Sequence, residues 1–413
     1  MSTTSTDLAH FLHLQKVNYF KAVEQGQVRR QWTIVMGNEA GDLDSLASAV
    51  AYAWYATSHL KQLTIPLIQT ARADLRLRAE NLHALQLAGV PPDRLLTSDD
   101  LPSAPAEKFA LVDHNVLAAS FTGHVVAVVD HHADEGQHLD AKPRIIEVPT
   151  GSCSSLVARL FEREWKEGVT PEIARLLFSA VLVDTNGLKP GGKAQAVDRD
   201  MAAFLWPRTA LGIEGAALHG DAPAEVREVK EVRELNEVLS AKKGSVEHLG
   251  ARDLLRRDYK EYEHGLPGEP AGTVKVGLAT VPRSAKALLK GADEGREFWG
   301  ACGAWMDERA LGVLGVLTTW REDAKFGKRG AGRGRREMLW AVRAAEDAPL
   351  PTRLWAGLEG AAELRVKRKD GPGKKFAAVG VPQGVVTRVY EQGNADATRK
   401  ATAPLVKAII EGK

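Results

Sequence analysis

The chain has 413 residues, of which 44% are hydrophobic and 26% are charged, and its formal net charge is +2. This length exceeds what one hydrophobic core usually supports, so two domains are expected. The near-neutral charge means that any attraction to polyanions must come from local clusters of Lys and Arg.

Cysteine usage and hydropathy exclude several classes of protein. Cys153 and Cys302 are the two cysteines, too few for a disulfide framework, and they fit a reducing compartment. No uninterrupted apolar stretch is long enough to cross a bilayer, and the polar first residues do not resemble a secretory signal. We therefore expect an intracellular, cytoplasmic protein without a membrane partner.

Short apolar segments alternate with helix-like segments through the first half of the chain. The predicted strands are residues 32–36, 64–69, 109–112, 124–129 and 144–148, and the predicted helices are residues 46–60, 76–88, 154–166, 171–182 and 198–204. This alternation predicts an α/β fold, with a parallel sheet covered by helices on both faces.

The second half has a different pattern. It contains predicted helices at residues 224–242, 252–263 and 401–410, and predicted strands at residues 273–280, 312–320, 338–342 and 376–379. We expect a smaller α+β domain with its own core. Residues 206–223 are rich in Gly, Ala and Pro and are predicted to be a linker between domains at 1–205 and 224–413.

Two carboxylates, Asp42 and Asp44, lie between the predicted strand 32–36 and the helix 46–60. This places them in a turn at the carboxyl end of a strand, where ligands collect in parallel sheets. Paired carboxylates suit a divalent metal ion. Acidic residues also cap helices and favour the positive end of the helix dipole, so this segment alone leaves both interpretations open.

Three further elements end in acidic or imidazole side chains. Strand 109–112 is followed by Asp113 and His114, strand 124–129 by Asp130, His131 and His132, and the apolar helical segment 176–183 by Asp184. Several oxygen donors, a few imidazoles and a carboxylate able to bridge are what a two-metal site needs. Together with the first motif, they favour metal binding over capping.

These motifs resemble the four motifs of the DHH phosphoesterase superfamily. The second half is similar to the carboxyl-terminal domain of family II inorganic pyrophosphatases and fungal exopolyphosphatases, with residues 258–262 and 398–400 resembling two phosphate-gripping segments. The resemblance spans nearly the whole chain. It implies an active site in a cleft between two domains and hydrolysis by water activated between two divalent metal ions, Mn²⁺ or Mg²⁺, with Co²⁺ as an alternative.

The resemblance also implies roles for individual residues. The implied metal ligands are Asp42, Asp44, Asp113, His131 and Asp184, with Asp113 bridging both ions and Asn38 as a further ligand. The implied catalytic residues are His114 and His132, which face the phosphate, and Asp130, which orients an imidazole. The implied substrate-binding residues are Lys260, Arg399, Lys400 and, in the basic run 325–336, Arg336. That run is either a positive track for a polyanion or a solvated loop.

Asn38 separates this chain from the pyrophosphatases, which place a metal-binding His four residues before the first motif Asp. An amide oxygen is a poorer, neutral donor, so the first metal is expected to be held more weakly. Exopolyphosphatases and prune proteins share the Asn-containing segment, but prune proteins lack an intact Asp-His-His, which this chain has at 130–132. The resemblance therefore favours exopolyphosphatase.

We predict a metal-dependent exopolyphosphatase that releases orthophosphate from inorganic polyphosphate. The alternatives are an inorganic pyrophosphatase, a prune-like hydrolase of short polyphosphates or cyclic nucleotides, and a non-enzymatic polyphosphate- or partner-binding protein. No nucleic acid partner is expected, because Gly191 and Gly192 are followed by Lys193 rather than by the His of the nuclease signature. A monomer is favoured.

Overall fold

The computed structural model describes residues 7–103, 105–212, 225–268, 272–289, 295–321, 334–370, 376 and 380–413. The chain divides into two compact units, Met1–Ser245 and Val246–Lys413. Within the described residues, no helix has the length and apolar character needed to cross a membrane. Both cysteines are buried thiols.

The first unit contains a sheet of six parallel strands. In chain order they are β1 Thr33–Met36, β2 Thr64–Ile68, β3 Leu96–Thr97, β4 Lys108–Val112, β5 His124–Asp130 and β6 Arg144–Ile146. Their order across the sheet is β3-β2-β1-β4-β5-β6. Strand β1 is buried along its whole length. This burial is typical of a central parallel strand covered on both faces, and it explains why its sequence is mostly apolar and does not alternate with polar residues.

The helices of the first unit cover both faces of this sheet. They are α1 Leu8–Glu24, α2 Val28–Gln31, α3 Leu43–Ser58, α4 Ala79–Leu87, α5 Cys153–Glu164, α6 Pro171–Thr185, α7 Ala196–Leu205 and α8 Lys230–Gly244. Val35 of β1 packs in the core that contains α3, α5 and α6. Its neighbours Ile34 and Met36 pack in a separate core with Tyr19 of α1, as the alternation of side chains along a strand requires.

The parallel sheet expected from the sequence is confirmed, but the strand β3 and the helices α1 and α2 of the first unit were not predicted. The two-residue strand β3 and the four-residue helix α2 are too short to give a periodic signal. Helix α8 also lies in the first unit, whereas the sequence placed it in the second domain. Val232 and Leu239 of α8 are buried in the amino-terminal core, and this packing assigns the helix. Residues 213–223 of the predicted linker lie outside the described residues.

The second unit is a mixed sheet with helices. Its strands are β7 Tyr259–Leu266, β8 Gly272–Val281, β9 Val313–Arg321, β10 Gly334–Arg343, β11 Val366–Arg368 and β12 Val385–Gln392, in the order β11-β12-β10-β9-β8-β7. Strands β8 and β9 are parallel and the other neighbours are antiparallel. Its helices are α9 Ala251–Arg257, α10 Ala285–Leu289, α11 Arg296–Arg309, α12 Pro349–Gly360 and α13 Arg399–Glu411.

The predicted helix 252–263 was wrong in its second half. The helix ends at Arg257, and residues from Tyr259 onward form β7, which pairs along its length with β8. The cross-strand ladder outweighs the local helical preference of this charged segment. The predicted strand 376–379 lies almost wholly outside the described residues, and Phe376 forms an isolated bridge with Asp370.

Candidate metal centre

Asp113, His131 and His132 converge at one end of the parallel sheet. One ligand atom from each lies within 4.8 Å of the other two. Asp113 directly follows β4 and the two histidines directly follow β5, and these strands are hydrogen-bonded neighbours. Because parallel strands end at the same edge of a sheet, residues from distant parts of the chain meet there.

Asp113 has a backbone conformation that is unusual for a residue with a side chain. Its φ is 62°, in the left-handed region, which costs roughly 1–2 kcal/mol outside glycine. Its amide donates to the carbonyl of Val129 on the neighbouring strand at 3.0 Å. Asp113 Oδ1 lies 3.2 Å from His131 Nε2 and 3.6 Å from His132 Nδ1. Burial opposes ionisation of Asp113, but the bond from His131 and the charges of both histidines lower its pKa below the ordinary value.

His132 is held by Asp130, the last residue of β5. His132 Nδ1 lies 2.7 Å from Asp130 Oδ1, and because a carboxylate only accepts, the proton lies on Nδ1. Asn115 Nδ2 donates to the other oxygen of Asp130 at 2.7 Å. Burial would raise the pKa of Asp130, but the bond and charge of His132 lower it. Sequence reasoning expected Asp130 to orient an imidazole, and it gave Asn115 no role.

At Asp42 and Asp44 the sequence left two roles open, helix capping and metal binding, and the structure has a feature of each. Asp42 is the N-cap of α3 and its carboxylate accepts from the amide of Ser45. Asp44 lies in the first turn of α3 rather than in the predicted turn before it, and its Oδ2 is 3.9 Å from His131 Nε2. Asp42 therefore caps the helix, and Asp44, two residues later, lies beside the cluster.

Asp44 is also tied to the amino terminus of α5. It accepts hydrogen bonds from the Ser152 hydroxyl at 2.8 Å, the Cys153 amide at 2.7 Å and the Ser154 hydroxyl at 2.6 Å. A carboxylate is stabilised at a helix amino terminus by free amides and by the helix dipole. This arrangement fixes the orientation of Asp44.

Asp198 of α7 lies behind this segment and was missed by sequence reasoning. It is fully buried and accepts from the amides of Gly151 and Ser152 at 2.8 and 3.2 Å and from the Ser155 hydroxyl at 2.7 Å. The sequence offers one signal, the Gln-x-x-Asp spacing of a capping box, which the structure contains at Gln195. That signal predicts a helix start and not a link to the site.

Asp184, in the last turn of α6, lies near the other carboxylates. Burial raises the pKa of Asp184 well above its ordinary value, and the charges of Asp44 and Asp42 raise it further, whereas Lys243 lowers it. Burial and Asp113 likewise raise the pKa of Asp42. Crowded carboxylates with raised pKa values are the electrostatic environment that a divalent cation neutralises.

Asn38 has a different geometry from that of a metal ligand. Its Nδ2 donates to Asp113 Oδ2 at 2.7 Å, and its amide oxygen accepts from the amide of Ala40 at 2.9 Å. Ser45 Oγ donates to the same Asp113 oxygen at 2.6 Å. Gly37 permits this approach, because a Cβ there would lie 2.4 Å from Ser45 Cβ. Asn38 orients Asp113 in this structure, and its ligation of metal stays a prediction.

The donor set fits a divalent metal ion. Imidazole nitrogens with carboxylate oxygens suit Mn²⁺ and other first-row metals, and carboxylates alone suit Mg²⁺. Of the predicted ligands, Asp113 and His131 belong to the close group, with Asp44 next to His131 and with Asp42 and Asp184 linked to them by charge. His132, predicted to face the substrate, also belongs to the close group. His114 Nδ1 lies 2.9 Å from the carbonyl of Val112.

The predicted substrate-binding residues lie in the second unit. Lys260 pairs in register with Leu278, and Arg399 Nη1 donates to the carbonyl of Leu278 at 3.4 Å. Arg399 also forms an ion pair with Asp258 at 2.8 Å. Arg336 Nε donates to the carbonyl of Ala395 at 2.6 Å. Lys400 lies in the first turn of α13 and is exposed. The basic run up to residue 333 lies outside the described residues.

Comparison with known proteins gives matches to both halves of the chain. Residues 32–181 match the amino-terminal domain of the DHH family, and residues 236–409 match the DHHA2 domain. The crystal structure of a Methanococcus jannaschii protein, provisionally a family II inorganic pyrophosphatase, covers 92% of this chain and 99% of its own, with a TM-score of 0.56 and 18% identity. That likeness supports the fold.

Three curated relatives are 28% to 33% identical to this chain over the matched residues. A Schizosaccharomyces pombe protein, provisionally named an exopolyphosphatase, is 33% identical over 56% of this chain and 60% of its own length. Exopolyphosphatase PRUNE1 of Mus musculus is 28% identical over 65% of this chain and 56% of its own. A provisionally named manganese-dependent inorganic pyrophosphatase of Deinococcus radiodurans is 29% identical over 57% and 67%. The matches to the first two relatives span less than two thirds of those proteins. The two domain matches together show that the chain contains an amino-terminal domain of the DHH family at residues 32–181, followed by a DHHA2 domain at residues 236–409.

Proposed function

We propose that the chain is a metal-dependent phosphoanhydride hydrolase that releases terminal orthophosphate from inorganic polyphosphate. The observation that carries this proposal is the group of Asp113, His131 and the partly exposed His132 at the strand ends, with the carboxylates of Asp44 and Asp184 beside it. Relatives named exopolyphosphatase and pyrophosphatase support the reaction class.

Asp113, His131, Asp42, Asp44 and Asp184 would hold two divalent ions, as predicted from the sequence. When bound, such ions act as Lewis acids on phosphate oxygens and lower the pKa of water. Asp130 fixes the ring of His132 with the proton on Nδ1, so Nε2 is the nitrogen that can bind metal or transfer a proton. His114 is proposed to stabilise charge on the phosphate.

The second unit is proposed to supply positive charge for the phosphate chain. Lys260 and Arg399 both approach Leu278, so two cationic residues lie on neighbouring elements, with Lys400 adjacent in sequence. Arginine holds phosphate oxygens with two parallel hydrogen bonds and lysine acts as a point charge. Arg336 is retained as a weaker candidate, because burial lowers its pKa and its Nε is bonded to a backbone carbonyl.

Asn38 supports polyphosphate over pyrophosphate as the preferred substrate. The pyrophosphatases that this chain resembles have an imidazole at this position, which binds metal more strongly than an amide oxygen. Here the amide group is engaged with Asp113 and Ala40. Pyrophosphatase activity is therefore the second candidate, and it is expected to be the weaker activity of the two.

The Asn38→His variant is expected to raise pyrophosphate hydrolysis relative to polyphosphate hydrolysis by about tenfold. Residues that hydrogen-bond to metal ligands change metal affinity or activity by roughly 10–100-fold, and an added imidazole ligand should act on the same scale. The measurement is kcat/KM for both substrates at saturating Mn²⁺. Asn38→Ala is the control, since it removes the bond to Asp113 without adding an imidazole. An unchanged substrate ratio in Asn38→His would contradict this role of position 38.

Phosphate release from defined substrates tests the proposed function directly. Purified protein is incubated with long-chain polyphosphate, tripolyphosphate, pyrophosphate and a cyclic nucleotide, each with Mg²⁺, Mn²⁺ or Co²⁺. We expect release from polyphosphate one phosphate at a time, and none after chelation of the metal. Hydrolysis of the cyclic nucleotide alone would favour a prune-like activity, and binding of polyphosphate without any release would favour a non-enzymatic protein.

A further inference from the structure

The inward face of α8 ends in a lysine beside the acidic residues of the metal centre. Val232, Asn236, Leu239 and Lys243 follow one another at spacings of four, three and four residues, which places them on one side of a helix. Val232 and Leu239 are buried in the amino-terminal core. Lys243 therefore lies on the same side of α8 as the two residues that pack against the rest of the first unit.

The position of α8 is fixed by its contact with the chain just after α6. Gly187 has a φ of +67°, and a Cβ there would lie 2.7 Å from Asn236 Nδ2. A side chain at position 187 would therefore both strain the backbone and collide with α8. Because Asp184 lies three residues before Gly187, the same packing determines where Lys243 lies relative to Asp184.

The charge of Lys243 is placed next to a proposed metal ligand. Lys243 Nζ lies 4.0 Å from Asp184 Oδ1, and the two side chains are 41% and 20% exposed. Asp42 and Asp44 add negative charge around the same carboxylate. An ammonium group in this place attracts the carboxylates and repels an incoming divalent cation, and the repulsion is screened only in part near a protein surface.

We propose that Lys243 is a built-in counter-ion of the metal centre, which pairs with Asp184 and sets the concentration at which divalent metal fills the site. The inference rests on the proposed function, because it takes Asp184 and its neighbours as metal ligands. Lys243 neutralises part of the acidic cluster before metal binds. Metal binding then has to compete with this ion pair, so affinity is lower than the carboxylates alone would give.

Titration of the full chain with Mn²⁺, without substrate, tests this role by calorimetry or by electron paramagnetic resonance of free Mn²⁺. We expect Lys243→Met to lower the Kd for Mn²⁺ by about tenfold, the scale of a repulsion of about 1.4 kcal/mol. Lys243→Glu is expected to lower it further, and Lys243→Arg to leave it within about twofold. These differences should shrink in high salt, which screens partly exposed charges.

Lys242→Met is the matched control. Lys242 precedes Lys243 on α8, but its charge acts on His83, where, after burial, it lowers the pKa of the imidazole. We expect the Kd of this variant to stay within about twofold of the unmodified chain. Circular dichroism verifies that each variant is folded. The Kd for Mn²⁺ is expected to be highest for the unmodified chain, lower for Lys243→Met and lowest for Lys243→Glu, and one folded variant compared with the unmodified chain suffices to test the direction.

An equal or higher Kd in both Lys243→Met and Lys243→Glu would overturn the counter-ion role, because loss of structure weakens metal binding whereas loss of repulsion strengthens it. The two proposals fail in different ways. If the unmodified chain binds no Mn²⁺, the proposed metal-dependent function is wrong. If it binds Mn²⁺ and the whole Lys243 series has the same Kd, only the counter-ion role is wrong.

Discussion

Asp113→Ala is expected to reduce phosphate release from polyphosphate by roughly 10³-fold or more, because several kcal/mol of transition-state stabilisation depend on metal ions. Asp113 contacts His131, lies near His132 and accepts from Asn38 and Ser45. Its loss therefore removes a proposed metal ligand and the partner of four other side chains. The measurement is kcat with saturating metal, together with the stoichiometry of bound Mn²⁺.

Asp113→Asn serves as a second variant, because asparagine tolerates the left-handed backbone that Asp113 adopts. It removes the charge while keeping the shape, and it is expected to lose nearly as much activity. If Asp113→Asn retains full Mn²⁺ stoichiometry and at least a tenth of the activity, Asp113 is not a bridging ligand.

Arg399→Ala is the contrasting variant for this prediction. Arg399 lies in the second unit, where its guanidinium pairs with Asp258, and it is proposed to bind substrate and not metal. Its removal should raise KM for polyphosphate while leaving the Mn²⁺ stoichiometry unchanged. Comparable loss of metal binding in Asp113→Ala and Arg399→Ala would show that the assigned roles are wrong.

Asp198→Ala is expected to lower the free energy of unfolding by about 3 kcal/mol, since each buried donor left without its acceptor costs roughly 1–3 kcal/mol. The donors are the amides of Gly151, Ser152 and Gln195 and the hydroxyl of Ser155. Urea unfolding followed by circular dichroism measures the change. Because the same segment holds Asp44, the Kd for Mn²⁺ should also rise.

Asp200→Ala is the matched control for this stability prediction. Asp200 lies on the same helix, α7, but is exposed, and exposed substitutions usually change stability by less than about 0.5 kcal/mol. Equal destabilisation by the two substitutions would mean that helix propensity, and not the buried hydrogen bonds of Asp198, is responsible. Unchanged Mn²⁺ affinity in a folded Asp198→Ala variant would show that the segment 151–155 does not influence metal binding.

The sequence by itself determined the parallel sheet and most of the acidic and imidazole positions of the centre. Residues such as Asp113 and His131 directly follow short apolar strands, and strand ends in a parallel sheet meet at one edge, so local pattern and fold rule together predict their meeting. The family motifs restrict the chemistry further. Strand 259–266 was not predicted, because its partner strand, and not its own composition, makes it extended.

Only the tertiary structure decided which side chains support the proposed metal ligands and which unit each helix joins. Ser45 donates to Asp113, and Asp198 accepts from the segment 151–155 that holds Asp44; these hydrogen bonds span long sequence separations and leave no periodic signal in the chain. Helix α8 was predicted to belong to the second domain because it follows the Gly-, Ala- and Pro-rich stretch 206–223, but the burial of Val232 and Leu239 assigns it to the first unit. That packing brings Lys243 to Asp184, because the position of a charge depends on the face that a helix buries, and the rest of the fold decides which surface that face meets.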